Sequence, residues 1–377
     1  VLATSEILRA LVGIESVSSL SNGPLLDAIQ SLLEPHGWFI QRFPYIAADG
    51  VEKANLLAVP SQFKDSLPDV ELFFVCHTDT VPFRSEWTDA TVLTEKGGFL
   101  HGNGSCDVKG SLAALISAAL QVDTTSIKRP VAFAFTAEEE IGCIGATKLA
   151  ASGAIRPRYV IVCEPTSLRP ATAGKGYALA EVNVRGREAH SAFPYRGASA
   201  INAAAGLIVR LEQMQRQANE QGDDRFTPPV TTFNVGVLKG GTAKNIVAGA
   251  CSFLVEWRPL PSEDPQLGGS ILNDLARATS FDHPNCEIEI NVLRADSGFS
   301  NPAGDLLGAK LCSLLNRAET GISFGSEATR FASLAEETVV VGPGDMETAH
   351  SERERVPIDE LEEWTNIIKH LLLNGLS

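Results

Sequence analysis

The sequence predicts an α/β protein: a mainly parallel, helix-covered sheet into which a ferredoxin-like α+β domain is inserted. Three observations carry that prediction. Helix and strand patterns alternate from residue 1 to about 175, period-two alternation takes over from 176 to 294, and the first style returns over 295–377. The larger domain is therefore expected over 1–175 and 295–377, with 176–294 as the insertion.

In chain order, Leu2, Ile7, Leu8, Leu11 and Ile14 form a helical stripe. Short apolar runs at 55–59, 71–76, 131–136 and 159–163 read as strands buried on both faces, with helices expected at 108–122 and 145–151. Residues 177–184 alternate apolar and polar, 198–215 is helical, 231–237 and 248–257 are strands, 267–278 is helical, and 286–292 is a strand. That order, βαββαβ, is the split βαβ unit of a ferredoxin-like domain. A helix near 305–316, a strand at 338–341 and a helix over 358–373 complete the larger domain. The polar stretch 215–229, which ends in two prolines, reads as a loop, and the acidic run 352–363 as a solvated helix face.

With 377 residues, 44% of them hydrophobic, the chain has enough apolar material for a sizeable core and two domains. The longest apolar run, 112–120, is interrupted by Ser117 and is too short to span a membrane, and no basic segment followed by an apolar core opens the chain. A cytoplasmic protein without a membrane partner is expected. A net charge of -15 and the absence of any Lys/Arg run longer than two argue against nucleic acid, while leaving room for a cationic small substrate. The seven cysteines form no CxxC pair, which argues against a disulfide framework or a zinc knuckle. Cys76, Cys106 and Cys163 each stand one residue before a candidate ligand, so on a strand they face the other way and read as small core residues.

The candidate chemistry lies in five side chains, His77, Asp107, Glu140, Glu164 and His350, each just beyond a short apolar run. Open α/β sheets gather their sites at the carboxyl ends of strands, and carboxylate oxygen with imidazole nitrogen suits divalent metals. Each position has a plain structural reading when taken alone. His77 ends a strand, Asp107 in the glycine-rich 101–110 stretch could cap a helix, and the acids 138–140 could be a solvated turn. The glycines do not form a dinucleotide loop, because Asp107 occupies the sixth position of GxGxxG. Three consecutive acids after a buried strand repel one another unless a cation or proton relieves them, and five such coincidences at strand ends point to one metal site. Asp79 is placed to reach the second ring nitrogen of His77, as a ligating histidine usually requires.

The motifs HTDTVP at 77–82, GNGSCDVKG at 102–110, TAEEEIG at 136–142, CEPTS at 163–167 and GPGDMETAH at 342–350 resemble those of one known group. It comprises the acetylornithine deacetylases, succinyl-diaminopimelate desuccinylases, aminoacylases and glutamate carboxypeptidases, which are dinuclear zinc hydrolases. The resemblance covers both domains and implies a zinc-exopeptidase-like fold. It implies that Asp107 bridges two divalent metals, with His77 and Glu164 completing one site and Glu140 and His350 the other. Glu139 would be the general base and Asp79 the orienter of His77. The group usually has Asp-Glu-Glu where this chain has Glu138-Glu139-Glu140, and a shift by one residue would make Glu138 the base and Glu139 the ligand. The resemblance further implies a homodimer through the inserted domain, with His190 lent across the interface to steady an oxyanion. Asn245 and Arg258 are similar to substrate contacts of the group, and Glu327 to a contact with a substrate amine. Zinc suits the ligand set, and cobalt or manganese would fit it too.

Within the group, 163–168 and 324–350 are most similar to acetylornithine deacetylases, which implies a small N-acetylated amino acid of arginine biosynthesis as substrate. N-acetylcitrulline, succinyl-diaminopimelate and dipeptides stay open as alternatives. A rival of another class is a serine hydrolase, since 321–325 matches GxSxG around Ser323. The polar 316–320 stretch, however, makes a poor strand for a nucleophile elbow. A non-catalytic metal-binding protein would keep the ligands and lose the base, yet Glu139 is present.

Overall fold

Apolar runs too continuous for a one-sided strand form the centre of the larger of two units. In the computed structural model, which describes residues 2–217 and 222–376, one unit comprises Val1–Ala173, Ser300–Thr320 and Ser326–Ser377, the other Gly174–Phe299 and Gly321–Gly325. In the larger unit the strands lie in the order Trp38–Ile46, Glu52–Pro60, Val131–Thr136, Asp69–His77, Arg156–Val162 and Glu337–Val340. The last four of these run parallel, and the first two form an antiparallel hairpin that pairs antiparallel with Val131–Thr136. Phe73, Phe74, Val75 and Cys76 are all buried, as a strand covered on both faces requires. Cys106 and Cys163 are buried as well. The helix Lys109–Gln121 is buried from Lys109 through Leu120 and packs in one core with Thr4–Val12, Gly23–Leu33 and Ile358–Asn374.

The parallel register brings the carboxyl ends of the strands together. His77 pairs with Thr136, Val75 with Val162, and Val162 with Val340, so four strands finish at one edge of the sheet. The next residues of each, including Asp79, 138–140, Glu164 and the loop to His350, emerge side by side. The hairpin strand Trp38–Ile46 is not foreshadowed in the sequence, because it is a half-exposed edge strand containing Arg42 and Pro44, which only an edge tolerates.

The smaller unit follows the expected βαββαβ order. Its antiparallel sheet runs Thr232–Gly240, Ala250–Arg258, Tyr177–Arg185, Glu287–Asp296. Ala178, Ala180, Val182 and Val184 alternate onto the same buried face as Phe253, Val255 and Trp257, and the helices Ala200–Gln217 and Leu267–Asp282 cover that face. Gly268 is required there, since a Cβ would lie 2.4 Å from the Trp257 indole. Gly321–Gly325 joins this unit through hydrogen bonds from Gly321 N–H to the Arg225 carbonyl and from Lys175 N–H to the Ile322 carbonyl. Of the loop expected at 215–229, residues 218–221 lie outside the described residues, and the helix continues to Gln217. Among the described residues, no helix is long and apolar enough to cross a membrane.

Candidate metal centre

His77 is the last residue of its strand and is 1% exposed. Its Nδ1–H donates to the backbone carbonyl of Asp79 at 2.9 Å, which turns Nε2 toward Asp107 Oδ1 at 3.1 Å and Glu164 Oε2 at 3.9 Å. The carboxylate of Asp79, expected to orient this ring, stands 3.9 Å from Nδ1, beyond hydrogen-bonding distance. The Asp79 backbone carbonyl takes that place. The carboxylate accepts instead from the N–H groups of Glu139 (3.0 Å) and Glu140 (3.3 Å) and from the Ser18 hydroxyl (2.7 Å).

Asp107 does not cap the following helix, whose N-cap residue is Val108. Its carboxylate lies between two imidazoles, Oδ1 facing His77 and Oδ2 3.1 Å from His350 Nε2. Glu140 Oε2 lies 3.2 Å from the same His350 nitrogen. Glu138 has φ 59°, a strained value for a residue other than glycine, and its side chain turns away to accept from the Tyr45 hydroxyl at 2.8 Å. The three consecutive acids are thereby separated, with Glu140 at His350 and Glu139 between them. His350 is itself at φ 56°, and its loop passes so close to Glu164 that a Cβ at Gly342 would lie 2.7 Å from the Glu164 carbonyl. Two groups result, His77–Asp107–Glu164 and Asp107–Glu140–His350, each with its donor atoms within 4.8 Å of one another and both sharing Asp107.

The electrostatics show what this crowding costs. Burial pushes the Glu164 carboxyl well above the usual range, and burial, opposed by His77 and aided by Glu140, pushes Glu139 up to about 8. Burial would lower His77, but the hydrogen bond with Asp107 and the charge of Glu164 outweigh it and raise the imidazole well above its ordinary value. His350, half-exposed, is raised to about 10 by hydrogen bonds to Asp107 and Glu140. Burial acts to raise Asp107 as well, yet the hydrogen bonds from His350 and His77 hold it well below the carboxylate range. One oxygen in each group, Glu164 Oε1 and Glu140 Oε1, is buried without a hydrogen-bond partner. An unpaired buried oxygen of this kind costs about 1–3 kcal/mol or more, and a divalent cation in each group would relieve it. The donor set therefore fits two metal ions. A cavity of about 390 Å³ lined by Val81, Phe83, Trp87, Asn103 and His350 opens beside the second group.

The other expected residues are placed differently. Glu327 belongs to the larger unit and is 0% exposed, so the structure does not bring it to a surface where a substrate amine arrives. Burial raises its carboxyl to about 7. In the smaller unit His190 and Asn245 are exposed on adjoining segments, where Ser191 N–H donates to the Asn245 carbonyl and His190 bridges to Ile246. Ala192 N–H donates to His190 Nδ1 at 3.1 Å, which leaves Nε2–H as an outward donor. Arg258 pairs with Glu256 at 3.0 Å and stacks over the Tyr177 ring at 4.7 Å. Ser323 follows a three-residue strand and precedes a helix of only four residues, Ala328–Phe331, which is not an elbow, and His350 is engaged with Asp107 and Glu140.

The sequence reading missed Glu354, which it placed on a solvated face. The residue is 1% exposed and lies beneath the Asp107 turn. One of two acids in the charged run Glu352-Arg353-Glu354-Arg355, it carries no local signal of burial; only its spacing from His350 hints at a role.

Residues 73–374 match the model of peptidase family M20/M25/M40. An acetylornithine deacetylase of Myxococcus xanthus is 42% identical over 355 residues, covering 94% of this chain and 92% of that protein. Among solved structures, a tripeptidase of Staphylococcus aureus superposes with TM-score 0.79 at 20% identity over 99% of this chain and 98% of its own. A dinuclear metal-binding peptidase of the M20 family from Bacillus subtilis does so with TM-score 0.71 at 14% identity over 99% and 97%. At these identities the structural likeness concerns the fold.

Proposed function

The chain belongs to peptidase family M20/M25/M40, and from that premise we propose that it is a zinc-dependent deacetylase of N-acetyl-L-ornithine acting in arginine biosynthesis. It is a hydrolase of amide bonds, and its substrates are N-acyl amino acids. The observation that carries the reading is the sharing of Asp107 between two histidine–carboxylate groups, each with an unpaired buried oxygen. The choice of acyl amino acid is supported by the 42% identical deacetylase.

His77, Asp107 and Glu164 would hold one metal, and Asp107, Glu140 and His350 the other. When bound, the pair would acidify water and polarise the acyl oxygen. Glu139 takes a proton from the attacking water and returns it to the departing amine. Asp79 fixes the backbone of Glu139 and Glu140, and so the base and a ligand together. His190 of the partner subunit, in a homodimer formed through the inserted domain, donates from Nε2–H to the developing oxyanion, and Asn245 and Arg258 contact the substrate and its carboxylate.

The test is a substrate panel with metal-reconstituted protein. N-acetyl-L-ornithine is expected to exceed N-acetyl-L-citrulline, N-succinyl-diaminopimelate and dipeptides in kcat/KM by at least about tenfold, the discrimination one well-placed contact supplies. A different leader would replace the substrate and leave the amide hydrolase standing, whereas no metal-dependent turnover of any of them would remove both.

A further inference from the structure

Glu354 follows His350 by four residues, and the strand Arg355–Pro357, paired with Phe99–His101, fixes its position. Its carboxylate is buried and, among the described residues, meets no side-chain donor; it faces three backbone N–H groups. Oε1 accepts from Cys106 and Asp107, both at 3.0 Å, and Oε2 accepts from Gly104 at 2.9 Å. The turn that presents Asp107 is thus held from below by one side chain. Asp79 accepts likewise from Glu139 and Glu140, so two buried acids that belong to neither metal group each accept from the backbone N–H of a residue that does, Asp107 for one and Glu140 for the other.

We propose that Glu354 is a positioning residue that aims the shared Asp107 at both metals, and that it ties the Asp107 turn to the His350 loop so that both ligands are seated together. The proposal rests on the two-metal reading above. Both oxygens are needed as acceptors. An amide at this position would set an NH2 group against a backbone N–H, and an aspartate would fall short by about one C–C bond length, ~1.5 Å.

The test is titration of metal-free protein with Co(II), read by visible absorption and by calorimetry, for wild type, Glu354→Gln and Glu354→Asp. Because Asp107 is common to both groups, affinity for the first and the second equivalent is expected to fall together, by about 10–100-fold, with altered Co(II) bands. A merely structural role would lower the melting temperature and leave the affinities and bands of the folded protein as in wild type; that result in Glu354→Gln overturns the proposal. If Glu354→Gln does not fold, Glu354→Asp decides: wild-type affinity and bands overturn the proposal, and loss at both equivalents upholds it. A wild-type protein that fails to bind two equivalents would refute the two-metal reading itself, a result distinct from variants that bind as wild type does.

Discussion

His77 ends a strand and His190 follows one, and the two units treat them in opposite ways. His77 is buried, its Nδ1–H given to a carbonyl and its Nε2 turned onto a carboxylate, so the ring is already oriented for a cation. His190 is exposed and its Nδ1 accepts a backbone N–H, which leaves Nε2–H as the donor. The larger unit gathers opposed charges and bears the desolvation, while the smaller unit offers single polar groups on a well-packed sheet. A site built by convergence should fail as a whole, and one built from single donors should fail by degrees.

The largest effect is expected at the point of convergence. Asp107→Ala removes a donor from both groups, so metal analysis should show loss of both ions and turnover should fall to background; retention of one tightly held metal would break the shared-aspartate picture. Glu139→Gln should separate chemistry from binding, with metal content unchanged and kcat lower by about 10²–10⁴-fold. Loss of metal in that variant would instead place Glu139 among the ligands and reopen the register of 138–140. In the smaller unit, His190→Ala should lower kcat by about 10²–10³-fold, the loss of one oxyanion donor, with metal affinity untouched. Mixing this variant with Glu139→Gln in heterodimers should recover part of the activity if the donor is supplied by the partner.

Much of the larger unit is legible in the sequence because burial on both faces writes uninterrupted apolar runs, and the residue after each run stands at the sheet's carboxyl edge. That is how His77, Glu140, Glu164 and His350 can be gathered from one chain, whereas Asp107 comes from the turn before the helix Lys109–Gln121. The edge strand Trp38–Ile46 is illegible for the converse reason, since a half-exposed edge admits Arg42 and Pro44. Glu354 and the backbone grip of Asp79 are illegible because a hydrogen bond to a main-chain N–H leaves no mark on the sequence of its donor. The smaller unit's alternation reads cleanly, but alternation reports packing and is silent on which exposed groups act.

The smallest effect concerns protons and sharpens the contrast between a buried cluster and exposed groups. Glu139, Glu164 and Glu327 have carboxyls raised above their ordinary values, and His77 and His350 are raised as well, Glu139 to about 8 and His350 to about 10. A group raised on folding contributes stability that is complete below its unfolded pKa and lost as pH rises through its folded one. All five shifts therefore share one sign, and the metal-free protein should lose melting temperature as pH rises from about 7 through about 10. The ligands among them, His77, Glu164 and His350, must shed their protons to take a metal, so each proton released should tighten apparent affinity by about tenfold per pH unit. Calorimetric titrations at pH 6 and 8 in buffers of different ionisation enthalpy measure both the affinity and the proton count. The stabilisation conferred by metal should grow over the same interval, because it restores what the unpaired charges remove. Affinity independent of pH, with no protons released, would mean that the cluster is already deprotonated and that its burial is not what sets it apart from the smaller unit.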